Sequence, residues 1–174
     1  TQNSGVQDYI GTIGYASKEL KGREHDFIAF NTQNTFLSRA EVRKAISYSI
    51  DKSNIVSSIF SNRYMVSSFP LDYGNWIYQE QDASSGYNPD QAKQILTENG
   101  WSFKNSSWQR TENYRTQRLE LNLLVKASDA TRVAVAQNIK QQLENQGIRV
   151  NIVQASDEQY NNSLTTKNYD MVLC

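Results

Sequence analysis

The chain has 174 residues, 38% of them hydrophobic and 21% charged, and its 18 Lys and Arg balance its 18 Asp and Glu. At roughly 100–200 residues per domain this length predicts one domain, and a neutral total lacks the broad positive surface that nucleic-acid phosphates or an anionic membrane attract. A mean hydropathy of −0.67, with no apolar run near the roughly 18 residues a bilayer needs, excludes a membrane-spanning helix.

One Cys cannot form an intrachain disulfide, and one His with one Cys cannot supply most of a zinc site, so no metal and no cofactor are expected. The chain opens on Thr1-Gln2-Asn3-Ser4-Gly5 and stops at Tyr169-Asp170-Met171-Val172-Leu173-Cys174, inside a predicted strand. It reads as a piece taken from a longer protein.

In chain order, residues 9–30 alternate loosely around a turn at Lys21-Gly22 and lead through Phe27, Ile28 and Phe30 into Asn31-Thr32, which predicts a β-hairpin or two short strands. Ser38 with Glu41 three residues on predicts a capping box, and Val42, Ala45, Ile46, Ser49 and Ile50 follow at helical spacing. Asp51 is a second cap, with Ile55 and Ile59 continuing the apolar stripe to about Phe60, so the segment is a helix pair or one broken helix. Residues 61–88 lack a period and hold Pro70, Gly74, Gly86 and the aromatics Tyr64, Phe69, Tyr73, Trp76, Tyr78 and Tyr87. Such aromatics either pack a loop onto the core or meet a ligand.

Asn88-Pro89 predicts a capped helix with Ala92, Ile95 and Leu96 buried and Gly100 ending it. Leu119, Leu121, Leu123 and Val125 alternate with Glu120, Asn122, Leu124 and Lys126 to give a strand with one apolar face. Ser128 or Asp129 caps a long helix bearing Val133, Ala136, Ile139 or Lys140, and Leu143, which Gly147 terminates. Ile148, Val150 and Ile152 form a second strand, Asp157 opens a short helix through Tyr160 and Leu164, and Tyr169 to Cys174 form a third strand. Strand, helix, strand, helix, strand with short links implies parallel pairing by right-handed crossovers. The fold class is α/β: a mixed sheet with a parallel β-α-β-α-β C-terminal half and an antiparallel N-terminal hairpin.

Catalytic signals are few. Gly11-Thr12-Ile13-Gly14 has neither the Lys-Ser/Thr of a P-loop nor the third glycine of a dinucleotide fingerprint, and no Gly-x-Ser-x-Gly elbow occurs. A Cys/His pair reduces to Cys174 with His25, and His25 lies among Arg23, Glu24 and Asp26 in a polar stretch that reads as surface. Acids at helix starts, Glu41, Asp51, Asp90, Asp129 and Asp157, already serve as caps and dipole partners. Amide clusters such as Asn31-Thr32-Gln33-Asn34, Gln141-Gln142 and Asn161-Asn162 suit either a binding surface or plain solvation. Composition and spacing stop at an α/β domain with more of a binder than of an enzyme about it.

Four ordered motifs go further. Phe27-Ile28-Ala29-Phe30-Asn31-Thr32 with Phe36 and then Val42-Arg43-Lys44-Ala45-Ile46-Ser47-Tyr48-Ser49-Ile50-Asp51-Lys52 comes first. Tyr87-Asn88-Pro89-Asp90-Gln91-Ala92-Lys93-Gln94-Ile95-Leu96 ending at Gly100-Trp101 follows, then Leu123-Leu124-Val125 before Asp129, and last Gly147-Ile148-Arg149-Val150 with Tyr169-Asp170-Met171. Over about residues 25–174 this resembles the oligopeptide, dipeptide and nickel-binding family of bacterial extracellular solute-binding proteins. It departs from that pattern at Asn34-Thr35, where prolines usually stand, and at Ser49, where Ala is common.

The resemblance implies a type II periplasmic-binding-protein-like fold, with residues 1–174 as one domain, the C-terminal-side lobe of a two-lobed protein. It implies a substrate-binding component of an ABC importer that captures peptides or other small solutes by lobe closure. It also implies no enzymatic activity, a place outside a bacterial membrane on a lipid tether, and as partners the missing N-terminal-side lobe and a membrane permease. A hydrolase using a carboxylate or Cys174 is the alternative. Matching positions suggest Thr131 near the ligand's far end, Tyr160 lining the cleft and Lys167 facing a ligand carboxylate. For Thr131 the bland counterpart is a first-turn residue and for Tyr160 a core contact with Leu164, while loop lengths near Lys167 differ from the family's.

Overall fold

The computed structural model describes residues 14, 25–67 and 86–174. Within them the chain runs β1 (Ile28–Phe30), α1 (Ala40–Ser49), α2 (Lys52–Phe60), α3 (Pro89–Glu98), β2 (Ser102–Lys104), β3 (Ser107–Glu112), β4 (Arg115–Arg118), β5 (Glu120–Lys126), α4 (Ala130–Asn145), β6 (Arg149–Ala155), α5 (Asp157–Thr166) and β7 (Met171–Leu173). Two sheets result, one in the order β1-β7-β5-β6 and one in the order β2-β3-β4.

The alternation along β5 decides the larger sheet. Leu119, Leu121, Leu123 and Val125 are fully buried on one face, where Val135, Ala136, Ile139 and Leu143 of α4, Val42, Ala45 and Ile46 of α1, and Ala92 and Leu96 of α3 pack against them. Each such side chain contributes about 2 kcal/mol of burial, so this face anchors the domain. Leu124, pointing the other way, joins Ala155, Tyr160 and Val172 in a smaller cluster covered by α5.

The predicted parallel half is present. β5 pairs in parallel with β6 from Glu120↔Arg149 to Lys126↔Ala155, and with β7 through Leu123↔Met171 and Leu124↔Val172. β1 adds antiparallel to β7, from Ile28↔Leu173 to Phe30↔Met171. The Lys21-Gly22 turn and the first strand of the predicted hairpin lie outside the described residues, as do Phe69, Tyr73, Trp76 and Tyr78.

Helix starts follow the predicted caps in three places. Asp51 accepts from the Asn54 N–H, Asn88 from the Gln91 N–H with Pro89 at the first position, and Asp129 from the Arg132 N–H. The capping box at Ser38 does not form. Helix α1 begins one residue later, with Arg39 at the cap position and no side-chain cap. Asn34 takes over the preceding turn, its side-chain oxygen accepting from the Phe36 and Leu37 N–H groups, while the Ser38 hydroxyl donates to Thr35 O. Glu41 faces Arg110 instead, in an ion-pair group with Arg39 and Glu112 that ties α1 to β3. At α5 the cap is Ser156, in a full capping box with Gln159, and Asp157 is the first helical residue.

The smaller sheet was not foreseen. Two-residue turns at Asn105-Ser106 and Asn113-Tyr114, all four residues in the left-handed region, fold residues 102–118 into an antiparallel meander. Turns with positive φ at both central positions match the twist of paired strands and suit Asn at the first position. The meander docks through Trp108, which is buried, meets Phe103 edge-on at 5.4 Å and donates its ring N–H to Gln146 O. Gly147 makes this possible. Its φ is +80°, and a Cβ there would lie 2.3 Å from the Phe103 ring.

Candidate functional site

The crossovers meet at one edge of the larger sheet. From β5 the chain leaves into α4 on the main-core face, and from the neighbouring β6 it leaves into α5 on the opposite face. The loops Lys126-Ala127-Ser128-Asp129 and Ala155-Ser156-Asp157 therefore meet at the carboxyl edge of β5 and β6, the edge of an open α/β sheet outside which ligands bind. They are joined by Ala127 N–H to Ala155 O at 2.8 Å and by the Ser128 hydroxyl to the Asp157 carboxylate at 2.6 Å.

Tyr160, in the first turn of α5, is buried beneath this edge. Its hydroxyl donates to Leu173 O at 3.0 Å and lies 3.5 Å from Cys174 Sγ, fastening the end of β7 to α5. The Lys126 ammonium stands 5.2 Å from the centre of the Tyr160 ring. No carboxylate pairs with Lys126 among the described residues. Arg132, by contrast, is neutralised, with bonds to Asp26 at 2.8 and 3.0 Å and to Asp129 at 3.0 Å. Thr131 is exposed in the first turn of α4 at the same edge. Cys174 is half-buried against the smaller apolar cluster.

Burial, then the contact with the Cys174 sulfur, raises the Tyr160 hydroxyl well above the ordinary tyrosine range, against the opposing pull of Arg132. The folded chain therefore keeps this proton where an unfolded tyrosine, near 10, gives it up. Because the native state then binds more protons than the unfolded one, stability is complete below about pH 10 and falls above it. Tyr160→Phe is expected to cost about 1 kcal/mol at neutral pH through the lost bond to Leu173. In urea unfolding the gap between the two proteins should shrink as pH passes about 10. A gap unchanged to about pH 11 would contradict the assignment.

Lys167 lies elsewhere. It is the exposed, left-handed residue that closes α5, about 10 Å along the helix axis from Tyr160. It lines a second, open cleft of about 480 Å³ with Asn31, Asn34, Asn122 and Asp170. The structure thus brings Thr131 and Tyr160 to one edge and Lys167 to another.

The polar groups of this second cleft mainly bind one another. The Asp170 carboxylate accepts from the Asn34 side chain at 2.7 Å and from both the backbone and side-chain N–H of Asn122 at 2.8 and 2.9 Å. Asn31 donates to Lys167 O and Tyr169 O. Asp170 thereby extends the β5–β7 ladder by one rung below Met171. The Asn31-Thr32-Gln33-Asn34 cluster, which suited either binding or solvation, is chiefly a clasp between the β1–α1 loop and β7.

Sequence reasoning missed Lys126, whose only signal was a charge closing an apolar strand just before a helix cap.

This architecture, a mixed sheet with α4 on one face and α5 on the other, is that of type II periplasmic binding proteins. A family model described as bacterial extracellular solute-binding proteins, family 5 middle, matches residues 3–174, and the chain belongs to that family. It is similar to heme-binding protein A of Haemophilus influenzae, 32% identical over 92 residues that make up 52% of this chain and 17% of that protein. It is also similar to the oligopeptide-binding protein AppA of Bacillus subtilis, 26% identical over 126 residues, 71% of this chain and 23% of AppA. The solved AppA in complex with a nonapeptide superposes with a TM-score of 0.75 at 21% identity, covering 86% of this chain and 30% of that one. NikZ from Campylobacter jejuni in complex with Ni(L-His) gives 0.76 at 22% identity, with 88% and 30% covered. The chain therefore spans less than a third of the length of these relatives.

Proposed function

We propose that residues 1–174 form the C-terminal-side lobe of a two-lobed substrate-binding component of an ABC importer, capturing peptides outside a bacterial membrane. In this reading the whole protein is held to the membrane by a lipid and hands its cargo to a membrane permease. It does no chemistry on the ligand. Family membership supports the class, and the observation that carries the ligand assignment is the Lys126 ammonium, without a carboxylate partner among the described residues, at the carboxyl edge of the sheet. Such a charge is complementary to the terminal carboxylate of a peptide, and a charge-assisted bond there contributes about 1.5–3 kcal/mol. Tyr160 supports the Lys126 stem from below, and Thr131 offers a hydroxyl at the rim. Lys167, at the far end of α5, has no part in this contact.

The test is calorimetric titration of the full-length protein and its Lys126→Met variant with peptides bearing free or amidated C-termini. The variant should lose about tenfold to a hundredfold in affinity for the free acids and little for the amides. Equal losses for both, or none, would remove Lys126 from the ligand site.

A further inference from the structure

The neutral total conceals an uneven distribution. Residues 102–118, the whole β2-β3-β4 meander, carry Lys104, Arg110, Arg115 and Arg118 against the single acid Glu112. Arg110 is neutralised by Glu112 and Glu41. Arg115 stands opposite Glu112 in the β3–β4 register but makes no ion pair with it, because Arg39 bonds both of that carboxylate's oxygens at 2.8 Å and Arg110 takes a further bond. The side chains of Lys104, Arg115 and Arg118 make no hydrogen bond or ion pair among the described residues. All three are exposed, as is every residue of β4.

Register places two of these cations on one face. Lys104 pairs with Ser107 and Arg118 with Gln109, so both share the outward side of the sheet with Gln109, Thr111 and Thr116. The Thr111–Thr116 hydroxyl contact at 2.8 Å and the Gln109 bond to Ser107 run across that same side, which carries no acid. Trp108, Arg110 and Glu112 alternate to the opposite side, toward the core and α1. Arg115 flanks the β3–β4 turn, and at its tip Tyr114 is fully exposed, held out by a φ of +60°.

We propose that this meander is a docking face for anionic lipid headgroups. Lys104 and Arg118 flank the central strand on one acid-free face, with Arg115 at the rim beside the turn, so a charged bilayer surface laid on that face meets both cations at once. A tyrosine ring at the rim suits the headgroup boundary, where its apolar body and polar tip are both accommodated. Each basic residue close to such a surface strengthens binding about fivefold, so the two on this face give about thirtyfold. That is weak attachment by itself but enough to orient a domain already kept near a membrane. The expectation from total charge, that an anionic surface is no partner, is thereby revised for this face.

Cosedimentation of the 174-residue chain with vesicles of phosphatidylcholine alone or mixed with phosphatidylglycerol tests the proposal. Three proteins are compared: the chain itself, the variant K104Q/R115Q/R118Q, and a control, K44Q/R63Q/K93Q, with the same net charge but its changes outside the meander. The unaltered chain and the control should bind the phosphatidylglycerol vesicles about thirtyfold more tightly than the meander variant. Raised salt should abolish this binding, and phosphatidylcholine alone should not support it. Equal weakening of variant and control would reduce the effect to overall charge and overturn the assignment. So would failure of the unaltered chain to bind the anionic vesicles at low salt. Competition by dilute inorganic phosphate would point to a discrete anion site, and unchanged binding by the meander variant would place the contact elsewhere. Unchanged circular dichroism of both variants establishes that folding is not the cause.

Discussion

Replacing Asp170 by alanine is expected to destabilise the domain by about 2–3 kcal/mol, although this carboxylate touches no proposed ligand. Its two oxygens accept three bonds, from the Asn34 side chain and from the backbone and side chain of Asn122, and so hold three distant segments together. Removal leaves the Asn122 N–H without its rung at the β5–β7 junction and releases the loop that leads into α1. Asp170→Asn keeps an acceptor but not the charge, and about half the loss is expected. Urea midpoints with an unchanged slope would report this directly. An alanine variant within about 0.5 kcal/mol of the unaltered protein would show that the clasp is not needed.

The second large effect concerns ligand affinity. On the two-lobed reading proposed above, the 174-residue chain on its own is expected to bind peptides at about millimolar strength or weaker, and the whole protein at about micromolar strength or tighter. A closing site buries its ligand between two surfaces, and one lobe alone offers about half the contacts while the entropy lost on association stays the same. The difference is about 4 kcal/mol. Titration of both proteins against one mixed peptide pool decides it. Micromolar binding by residues 1–174 would place the whole site within this chain.

Most of the larger sheet was legible because its strands are strongly patterned. Leu119 to Val125 alternate without exception on the core side, and Asp51, Asn88 and Asp129 are short polar side chains standing where a helix needs an acceptor. The errors arose where a local rule met a tertiary competitor. Ser38 and Glu41 have capping-box spacing, but Arg110 draws Glu41 away and Asn34 serves the turn. The meander escaped notice because its turns read Asn-Ser and Asn-Tyr, not the more telling Asn-Gly, and because β2 and β4 are polar and exposed, with no apolar alternation to betray them. For the site, the meeting of the two loops at the carboxyl edge follows from element order alone. The pairing of Lys126 with Tyr160 does not, since it joins residues 34 positions apart through the packing of α5.

The sheet order has a consequence for how the chain reaches this structure. β5, α4 and β6 are neighbours in sequence and can associate early, since each new contact closes only a short loop. β1 has no such option: its partner is β7, so Ile28 must wait for Leu173. Closing so long a loop is entropically costly and slows a fold relative to its local parts. Synthesis therefore leaves β1 without this partner until residue 173 has been made. The clasp of Asn31 and Asn34 on residues 167–170 is the lock that follows that late meeting, and it makes the joining of segments about 140 residues apart the slow step in forming the larger sheet.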